Sequence, residues 1–186
     1  MNRLEDQAKL MKLQIDILPQ DVVTPAQQQA IVDLCSLAYQ HPFAEVIEQF
    51  QQRTHVLAWH DGQLVSHALW IPRRLFYNDK PIESAYVEAV ATHPEHQGHG
   101  YASALLRCLA EAISPLYQIG ALSPSDPAFY SRLGWELWRG PLFMLKNGEL
   151  VETPDDSAMI LRLPQTPADL DIEGRLAAEW RIGDVW

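Results

Sequence analysis

A strand that runs into a glycine-rich turn and then into a helix restricts the fold more than any other feature of this chain. Residues Tyr86–Ala91 are apolar on both faces apart from Glu88, which is typical of a central strand. After a turn at Pro94, Gln97–Ala102 opens a helix whose apolar residues recur on one face up to Ile113. Glycine lets the backbone approach a ligand closely, and the free N–H groups of a first helical turn attract phosphate. The stretch therefore predicts a pyrophosphate-binding turn between a strand and a helix.

Shorter signals on either side predict further strands and helices. Leu13–Ile17 alternates as a first strand does, Thr24-Pro25 predicts a helix start, and Asp61-Gly62 predicts a hairpin turn. Beyond the amphipathic helix, strands are predicted at 118–122, 135–138, 143–146 and 158–163, with a short helix at 127–133. We expect an α+β fold, a mixed central sheet flanked by helices, as a single domain over residues 1–186.

The charge of the chain restricts its partners. Its 186 residues include 14 basic and 24 acidic side chains, a formal net charge of −10. Nucleic-acid binding needs Lys and Arg to neutralise phosphates, so we expect no nucleic-acid partner; a cationic small molecule or protein is attracted instead. No signal peptide and no run of about 18 apolar residues is present, which predicts a cytoplasmic protein without membrane contact.

The glycine-rich turn departs from the common nucleotide-binding motifs, since it lacks both Gly-Lys-Ser/Thr and Gly-x-Gly-x-x-Gly. Gln97, Gly100 and Ala102 resemble instead the Gln/Arg-x-x-Gly-x-Gly/Ala motif of the GNAT superfamily of N-acetyltransferases. The resemblance implies a GNAT fold and acetyl-CoA as co-substrate. It implies two sets of cofactor contacts: backbone of Val90, Ala91 and Thr92 along the pantetheine arm, and a pyrophosphate cradle of Gln97, Gly98, His99, Gly100, Tyr101 and Ala102.

Longer segments resemble the aminoglycoside 2′-N-acetyltransferases within that superfamily. They are Tyr86–Val90, Tyr117–Ser123, Phe129–Trp135, Thr153–Asp156 and Trp180–Trp186. The resemblance implies acetyl transfer to the 2′-amine of a cationic antibiotic, a resistance role and a homodimer. Where that family tends to carry an acidic segment, this chain has His41-Pro-Phe43, which leaves open a narrower specificity, for example for kasugamycin.

Acetyl transfer to an amine needs a base, a donor for the developing oxyanion and an acid for the departing thiolate. The resemblance gives these roles to Glu88, acting through a water, to the backbone N–H of Val90, and to Tyr130. The alternatives are a surface ion pair for Glu88 and simple packing on the sheet for Tyr130.

The ammonium groups of the antibiotic need carboxylates around them. The resemblance implies that the substrate-binding residues are Glu88, Ser123, Asp155, Asp156, Asp184 and the α-carboxylate of Trp186. The alternative is a solvated acidic loop and tail, with Ser123 an ordinary turn residue.

Three alternative hypotheses compete with the assignment as an aminoglycoside acetyltransferase. His93, His96 and His99 have a spacing that could suit a metal, but Pro94 and Gly98 place them in a turn, and we expect no metal. The acceptor could instead be a polyamine or a protein amine. The chain could also be a CoA-binding regulatory module without turnover.

Overall fold

The computed structural model describes residues 12–186, and its backbone forms two compact units. Of the described residues, the first unit holds 12–71 together with Val87–Ala110, and the second holds Pro72–Tyr86 and Glu111–Trp186. Two long strands, β3 (Gln63–Tyr77) and β4 (Lys80–Thr92), pass from one unit into the other. The prediction of a single domain includes residues 1–11, which lie outside the described residues, as does the leader segment in which no signal peptide was expected.

The first unit contains an antiparallel sheet of β1 (Gln14–Pro19), β2 (Thr54–His60) and the first part of β3. A 3-10 turn follows β1 at Gln20–Val22. The β2–β3 turn has φ of 48° at Asp61 and 79° at Gly62, the positive values that a two-residue hairpin turn requires. The predicted hairpin is therefore confirmed.

In the described part of the first unit three helices begin: α1 (Pro25–Tyr39), the short α2 (Ala44–Ile47) and α3 (Tyr101–Ile113). Helix α1 starts at a capping box, in which Thr24 Oγ1 accepts from the Gln27 N–H at 3.3 Å and Gln27 Oε1 accepts from the Thr24 N–H at 2.9 Å. Of the predicted apolar stripe of α3, Ala102 is partly exposed and the other four residues are buried, namely Leu105, Leu106, Leu109 and Ile113.

The second unit surrounds the remaining parts of β3 and β4 with a mixed sheet. On one side β4 pairs in parallel with β5 (Ile119–Leu122), β5 is antiparallel to β9 (Met159–Arg162), and β9 is antiparallel to β6 (Glu136–Leu137). On the other side β3 is antiparallel to β10 (Leu176–Glu179), β10 is parallel to β7 (Leu142–Lys146), and β7 is antiparallel to β8 (Glu149–Glu152). Helix α4 (Pro127–Ser131) follows β5.

The predicted α+β class with a mixed central sheet is confirmed, because parallel and antiparallel pairs occur in one sheet. The sequence reading missed β8, β10 and the extension of β3 to Tyr77, together with the positive-φ turn at Asn78-Asp79 that joins β3 to β4. Among the described helices, none has both the length and the apolar character needed to cross a membrane.

Candidate active site

Strand β4 bends at the predicted catalytic carboxylate. Ala89 has φ of 51°, a left-handed conformation inside a strand, between the partly exposed Glu88 and Val90. A non-glycine residue in this region costs about 1–3 kcal/mol and persists only where its surroundings hold it. The strand therefore leaves regular geometry at the point that carries both the candidate base and the candidate oxyanion donor.

Side chains from the first unit bind three successive carbonyl groups at this bend. The Ala89 carbonyl accepts from His67 Nδ1 at 2.9 Å, the Val90 carbonyl from the Tyr39 hydroxyl at 3.0 Å, and the Ala91 carbonyl from Ser66 Oγ at 2.9 Å. These bonds fix the orientation of the three peptide units that join residues 89 to 92, directly after Glu88.

The glycine-rich turn follows β4 and a 3-10 turn at Pro94–His96. Gly98 and Gly100 have φ of 77° and 81°, values that side-chain-bearing residues rarely adopt. The Gly100 carbonyl accepts from the Ala104 N–H at 3.0 Å, so helix α3 starts there, and the N–H groups of its first turn have no intrahelical acceptor. An exposed turn of this kind fits a diphosphate.

Tyr101 and His99 contribute to this turn in different ways. The Tyr101 side chain is 1% exposed and stacks against the His99 ring, with centroids 5.7 Å apart, so its backbone N–H is the group that a cofactor could reach. His99 Nδ1 donates to the carbonyls of Gln97 at 3.0 Å and His96 at 3.1 Å, which closes the turn.

Four imidazole rings gather beside the turn. The His96 ring lies 5.3 Å from His93, 6.4 Å from His60 and 6.4 Å from His99, measured between centroids. Desolvation, and then repulsion from the neighbouring histidines, lowers the pKa of His96 below its usual value. Within residues 12–186 no group of three or more His, Cys, Asp or Glu side chains is arranged to hold a metal ion.

In the second unit, Tyr130 lies on α4. Asp126 caps this short helix by accepting from the N–H groups of Ala128 at 3.0 Å and Phe129 at 3.3 Å. Tyr130 is 5% exposed and packs edge-on against the rings of Phe129 and Trp135. Burial, with a smaller effect of the Asp126 charge, raises the pKa of Tyr130 to about 12, so the phenol keeps its proton at neutral pH.

The C-terminal segment of the second unit is tied to β3 by Arg73, a residue that the sequence reading did not select. Its guanidinium donates to the carbonyl of Val185 at 2.6 Å and that of Glu179 at 2.9 Å, and lies 4.5 Å from the Tyr86 ring centroid. These bonds fix the terminal backbone, which leaves Asp184 exposed and Trp186 buried.

The other candidate substrate residues lie in exposed turns of the second unit. Ser123 follows β5, and Asp155 and Asp156 follow β8. Neither aspartate forms an ion pair with any residue in the described part of the chain. Thr153 Oγ1, two positions before Asp155, and Trp186 Nε1, in the C-terminal segment, are buried without a hydrogen-bond partner in residues 12–186.

The sequence reading also missed a buried polar cluster in the first unit. Arg53, His55 and His67 are 4%, 0% and 0% exposed, although they lie in or beside apolar strands. The sequence did contain a signal for this cluster, namely a histidine inside each of two apolar strands, because a buried histidine needs a hydrogen-bond partner.

The strand, the glycine-rich turn and the amphipathic helix on which the predicted resemblance to CoA-dependent acyltransferases rests follow one another in the structure. Comparison with known families agrees with that class, because residues 21–138 match the acetyltransferase (GNAT) domain. The chain belongs to the GNAT family of acetyltransferases, which confirms the predicted resemblance and, at the level of the family, the predicted acetyl-CoA-dependent acyltransferase class.

One curated relative belongs to a more specific group. The chain is 38% identical, over 137 residues, to an aminoglycoside 2′-N-acetyltransferase of Mycolicibacterium fortuitum, a match that covers 71% of this chain and 70% of the relative. This chain is a member of the same family as that enzyme.

Solved structures share the fold at low sequence identity. A GNAT family N-acetyltransferase of Escherichia coli in complex with CoA has a TM-score of 0.64 at 18% identity, covering 89% of this chain and 90% of that one. A probable N-acyltransferase of Enterococcus faecalis has a TM-score of 0.57 at 22% identity; it matches 67% of this chain, which spans 32% of that longer protein. The predicted GNAT fold is therefore confirmed.

Proposed function

We propose that this protein transfers the acetyl group of acetyl-CoA to the 2′-amino group of an aminoglycoside-type antibiotic and thereby confers resistance. The observation that carries the proposal is the 38% identity to the aminoglycoside 2′-N-acetyltransferase of Mycolicibacterium fortuitum across more than two thirds of both chains. The bend at Ala89 also supports the proposal, because it lies beside the carboxylate of Glu88, a group that can accept a proton from an amine acceptor.

When bound, acetyl-CoA supplies an acetyl thioester. The exposed turn Gln97–Ala102 holds the diphosphate through backbone N–H groups, which Gly98 and Gly100 allow to approach closely. The backbone of Val90–Thr92 binds the pantetheine arm as an added strand would. No phosphate contact in this scheme needs a Lys or Arg side chain.

Three groups of the chain handle the charges and protons of the transfer. Glu88 takes a proton from the substrate ammonium through a water, so that the amine becomes a nucleophile. The backbone N–H of Val90 donates to the thioester oxygen as negative charge develops on it. Tyr130 gives its phenolic proton to the departing thiolate, and burial keeps that proton in place beforehand. The nitrogen gives up its second proton as the amide forms, and this proton restores the phenol.

Carboxylates of the second unit bind the ammonium groups of the antibiotic. Asp155, Asp156 and Asp184 are exposed, and the α-carboxylate of Trp186 lies at a chain end that Arg73 fixes. Each hydrogen bond to a charged group contributes about 1.5–3 kcal/mol. Ser123 lines the same site, and the net charge of −10 attracts the cation from a distance.

The specificity we propose is narrower than that of a general aminoglycoside enzyme, with kasugamycin as the first candidate. In the segment where related enzymes tend to be acidic, the rings of Tyr39 and Phe43 stack with centroids 5.0 Å apart, and His41 lies 5.6 Å from Phe43. Phe43 is buried, whereas Tyr39 and His41 are exposed, so these two rings offer a substrate aromatic contact instead of a negative countercharge, which favours a substrate with fewer amines. We also propose a homodimer, on the resemblance to the family alone.

The test is mass spectrometry of an amine panel after incubation with acetyl-CoA. The panel contains kasugamycin, several 2′-amino aminoglycosides, matched aminoglycosides with a 2′-hydroxyl, a polyamine and a lysine peptide. Acetylation restricted to 2′-amines is expected. Acetylation of the polyamine or the peptide alone refutes the acceptor, and binding of acetyl-CoA without any acetylated product favours a regulatory module.

A further inference from the structure

A continuous chain of hydrogen bonds runs through the interior of the first unit and ends at the bend in β4. Arg53 Nε lies 3.2 Å from His55 Nε2, His55 Nδ1 lies 3.0 Å from His67 Nε2, and His67 Nδ1 lies 2.9 Å from the Ala89 carbonyl oxygen. We call Arg53, His55 and His67 the histidine relay. All three side chains are buried, so water does not compete for these bonds.

The two ends of the relay fix where its protons lie. A guanidinium can only donate and a carbonyl oxygen can only accept. His55 Nε2 must therefore carry a lone pair toward Arg53, which places the His55 proton on Nδ1, pointing at His67. His67 Nε2 then accepts, and its proton lies on Nδ1, pointing at Ala89. Both rings are neutral Nδ1–H tautomers, and a further proton on either ring would set two N–H groups against each other.

The last bond of the relay acts on the peptide group that we propose as the oxyanion donor. The carbonyl of Ala89 and the N–H of Val90 belong to one planar trans peptide, so they point in opposite directions. Holding the oxygen toward His67 aims the Val90 N–H away from the buried side, and a hydrogen bond to the oxygen polarises the N–H further. The positive φ of Ala89 needs such support, because relaxation to ordinary strand geometry would turn this peptide.

We infer that His67, oriented by His55 and Arg53, is a positioning residue for acetyl transfer that aims and polarises the N–H group of Val90. The inference rests on the proposed function, since that function gives the Val90 N–H its role. His67 touches neither substrate nor cofactor in this scheme and acts only through the peptide.

The other groups around the relay are compatible with this direction of hydrogen-bond donation, from Arg53 toward Ala89. Glu48 Oε1 accepts from the Arg53 guanidinium at 3.0 Å, and the Phe50 carbonyl accepts from it at 3.1 Å, so the cation is held in place from the surface side. Cys35 Sγ lies 3.6 Å from His67 Nδ1, and burial raises the pKa of this thiol to about 12, so the sulfur brings no charge.

The proton positions are tested on the wild-type protein by imidazole nitrogen NMR, which separates Nδ1–H, Nε2–H and doubly protonated rings. We expect His55 and His67 both to be neutral Nδ1–H tautomers at neutral pH. An Nε2–H tautomer or an imidazolium at either residue overturns the relay. This readout requires no substrate and no variant.

The positioning role is tested by a matched pair of amide substitutions. In His67→Asn the side-chain amide nitrogen takes the place of Nδ1 and still donates to the Ala89 carbonyl. In His67→Gln the longer side chain places its amide at the position of Nε2, where the amide oxygen accepts from His55 Nδ1, and the Ala89 carbonyl is left without its donor. We expect His67→Gln to lower kcat by about 100-fold, the scale of losing one oxyanion donor, while His67→Asn stays within about threefold of wild type.

The KM for acetyl-CoA is expected to change little in both variants, because the diphosphate is held by the turn Gln97–Ala102. Equal kcat values for the two variants, whether both high or both low, refute the positioning role. Ile31→Ala removes a fully buried side chain of α1 and leaves a cavity in the core. This variant serves as a control for simple destabilisation and should leave kcat near the wild-type value. If wild type acetylates no amine, the proposed function fails, and the NMR result alone then decides the relay.

Discussion

Acid should destabilise this protein through its two buried histidines. Desolvation and then the Arg53 charge lower the pKa of His55 from 6.5 to about 4, and desolvation and then His55 lower the pKa of His67 to about 3. The unfolded chain therefore binds more protons than the folded one below about pH 6.5, and the free energy of unfolding falls as pH falls. The stabilising contribution of the neutral rings is complete above the unfolded pKa and is lost as pH falls toward the folded values.

The size of the effect follows from these pKa values. One pKa unit corresponds to about 1.4 kcal/mol, so between about pH 7 and pH 4.5 each ring removes about 2–3 kcal/mol of stability. The two rings together remove about 5 kcal/mol, which is comparable to the whole stability of a marginal domain. Glu48 and Cys35 are the other titratable groups at the relay; Glu48 pairs with Arg53, and the thiol stays protonated throughout.

Urea unfolding of wild type and His67→Asn at a series of pH values measures this contribution. The variant should be less stable at neutral pH, since it loses the bond to His55, but its stability should fall less steeply with acid. The gap between the two curves should shrink by about 2–3 kcal/mol between about pH 7 and pH 4.5. Parallel curves would mean that His67 titrates alike in both states, and the argument from burial would then be wrong.

Three further predictions concern single substitutions. Glu88→Gln should lower kcat by about 100-fold or more, the usual contribution of a general base, while calorimetry finds the affinity for acetyl-CoA unchanged; an unaltered rate removes Glu88 from the mechanism. Asp184→Asn should raise the KM for the antibiotic by about tenfold or more, in line with the loss of one charged hydrogen bond, and an unaltered KM would place this carboxylate outside the site. Gly140→Ala should reduce the free energy of unfolding by about 3 kcal/mol or more, because its Cβ would clash with the carbonyl oxygens of Gly174 and Glu173. Gly148→Ala, with open space around it but φ of 84°, should cost only about 1 kcal/mol, and equal losses in the two glycine variants would contradict the steric argument.

Local patterns predicted the parts of the fold that depend on local physics. The helix start at Thr24-Pro25, the hairpin turn at Asp61-Gly62 and the apolar face of α3 each involve residues a few positions apart, so the sequence contains the whole interaction. Strand β10 was missed for the opposite reason. Its four residues carry little pattern of their own, and β3 and β7 on either side supply its hydrogen bonds.

The candidate site divides in the same way. The turn Gln97–Ala102 was predictable, because its glycines and the apolar spacing of the helix that follows are visible in the sequence itself. The assignment of Glu88, Tyr130 and the acidic tail depended on resemblance to a family, since one carboxylate or phenol in a sequence has no chemistry without its surroundings. The fixing of the tail by Arg73 had no sequence signal, because its partners are backbone carbonyls more than 100 positions away.

The bend at Ala89 depends on residues that are distant in sequence, and this is why the histidine relay could not be predicted from the sequence. Alanine is an ordinary strand residue, and nothing in Glu-Ala-Val predicts a positive φ at its centre. The positive φ of Ala89 is explained by the hydrogen bond from His67 to the Ala89 carbonyl. The tautomer of His67 that makes this bond is in turn set by His55 and Arg53. Each residue alone would be an unfavourable choice, namely a strained alanine or a buried imidazole without a countercharge. In the proposed mechanism these residues together set the direction of one N–H group, that of Val90, and the paired Asn and Gln substitutions at position 67 measure this effect.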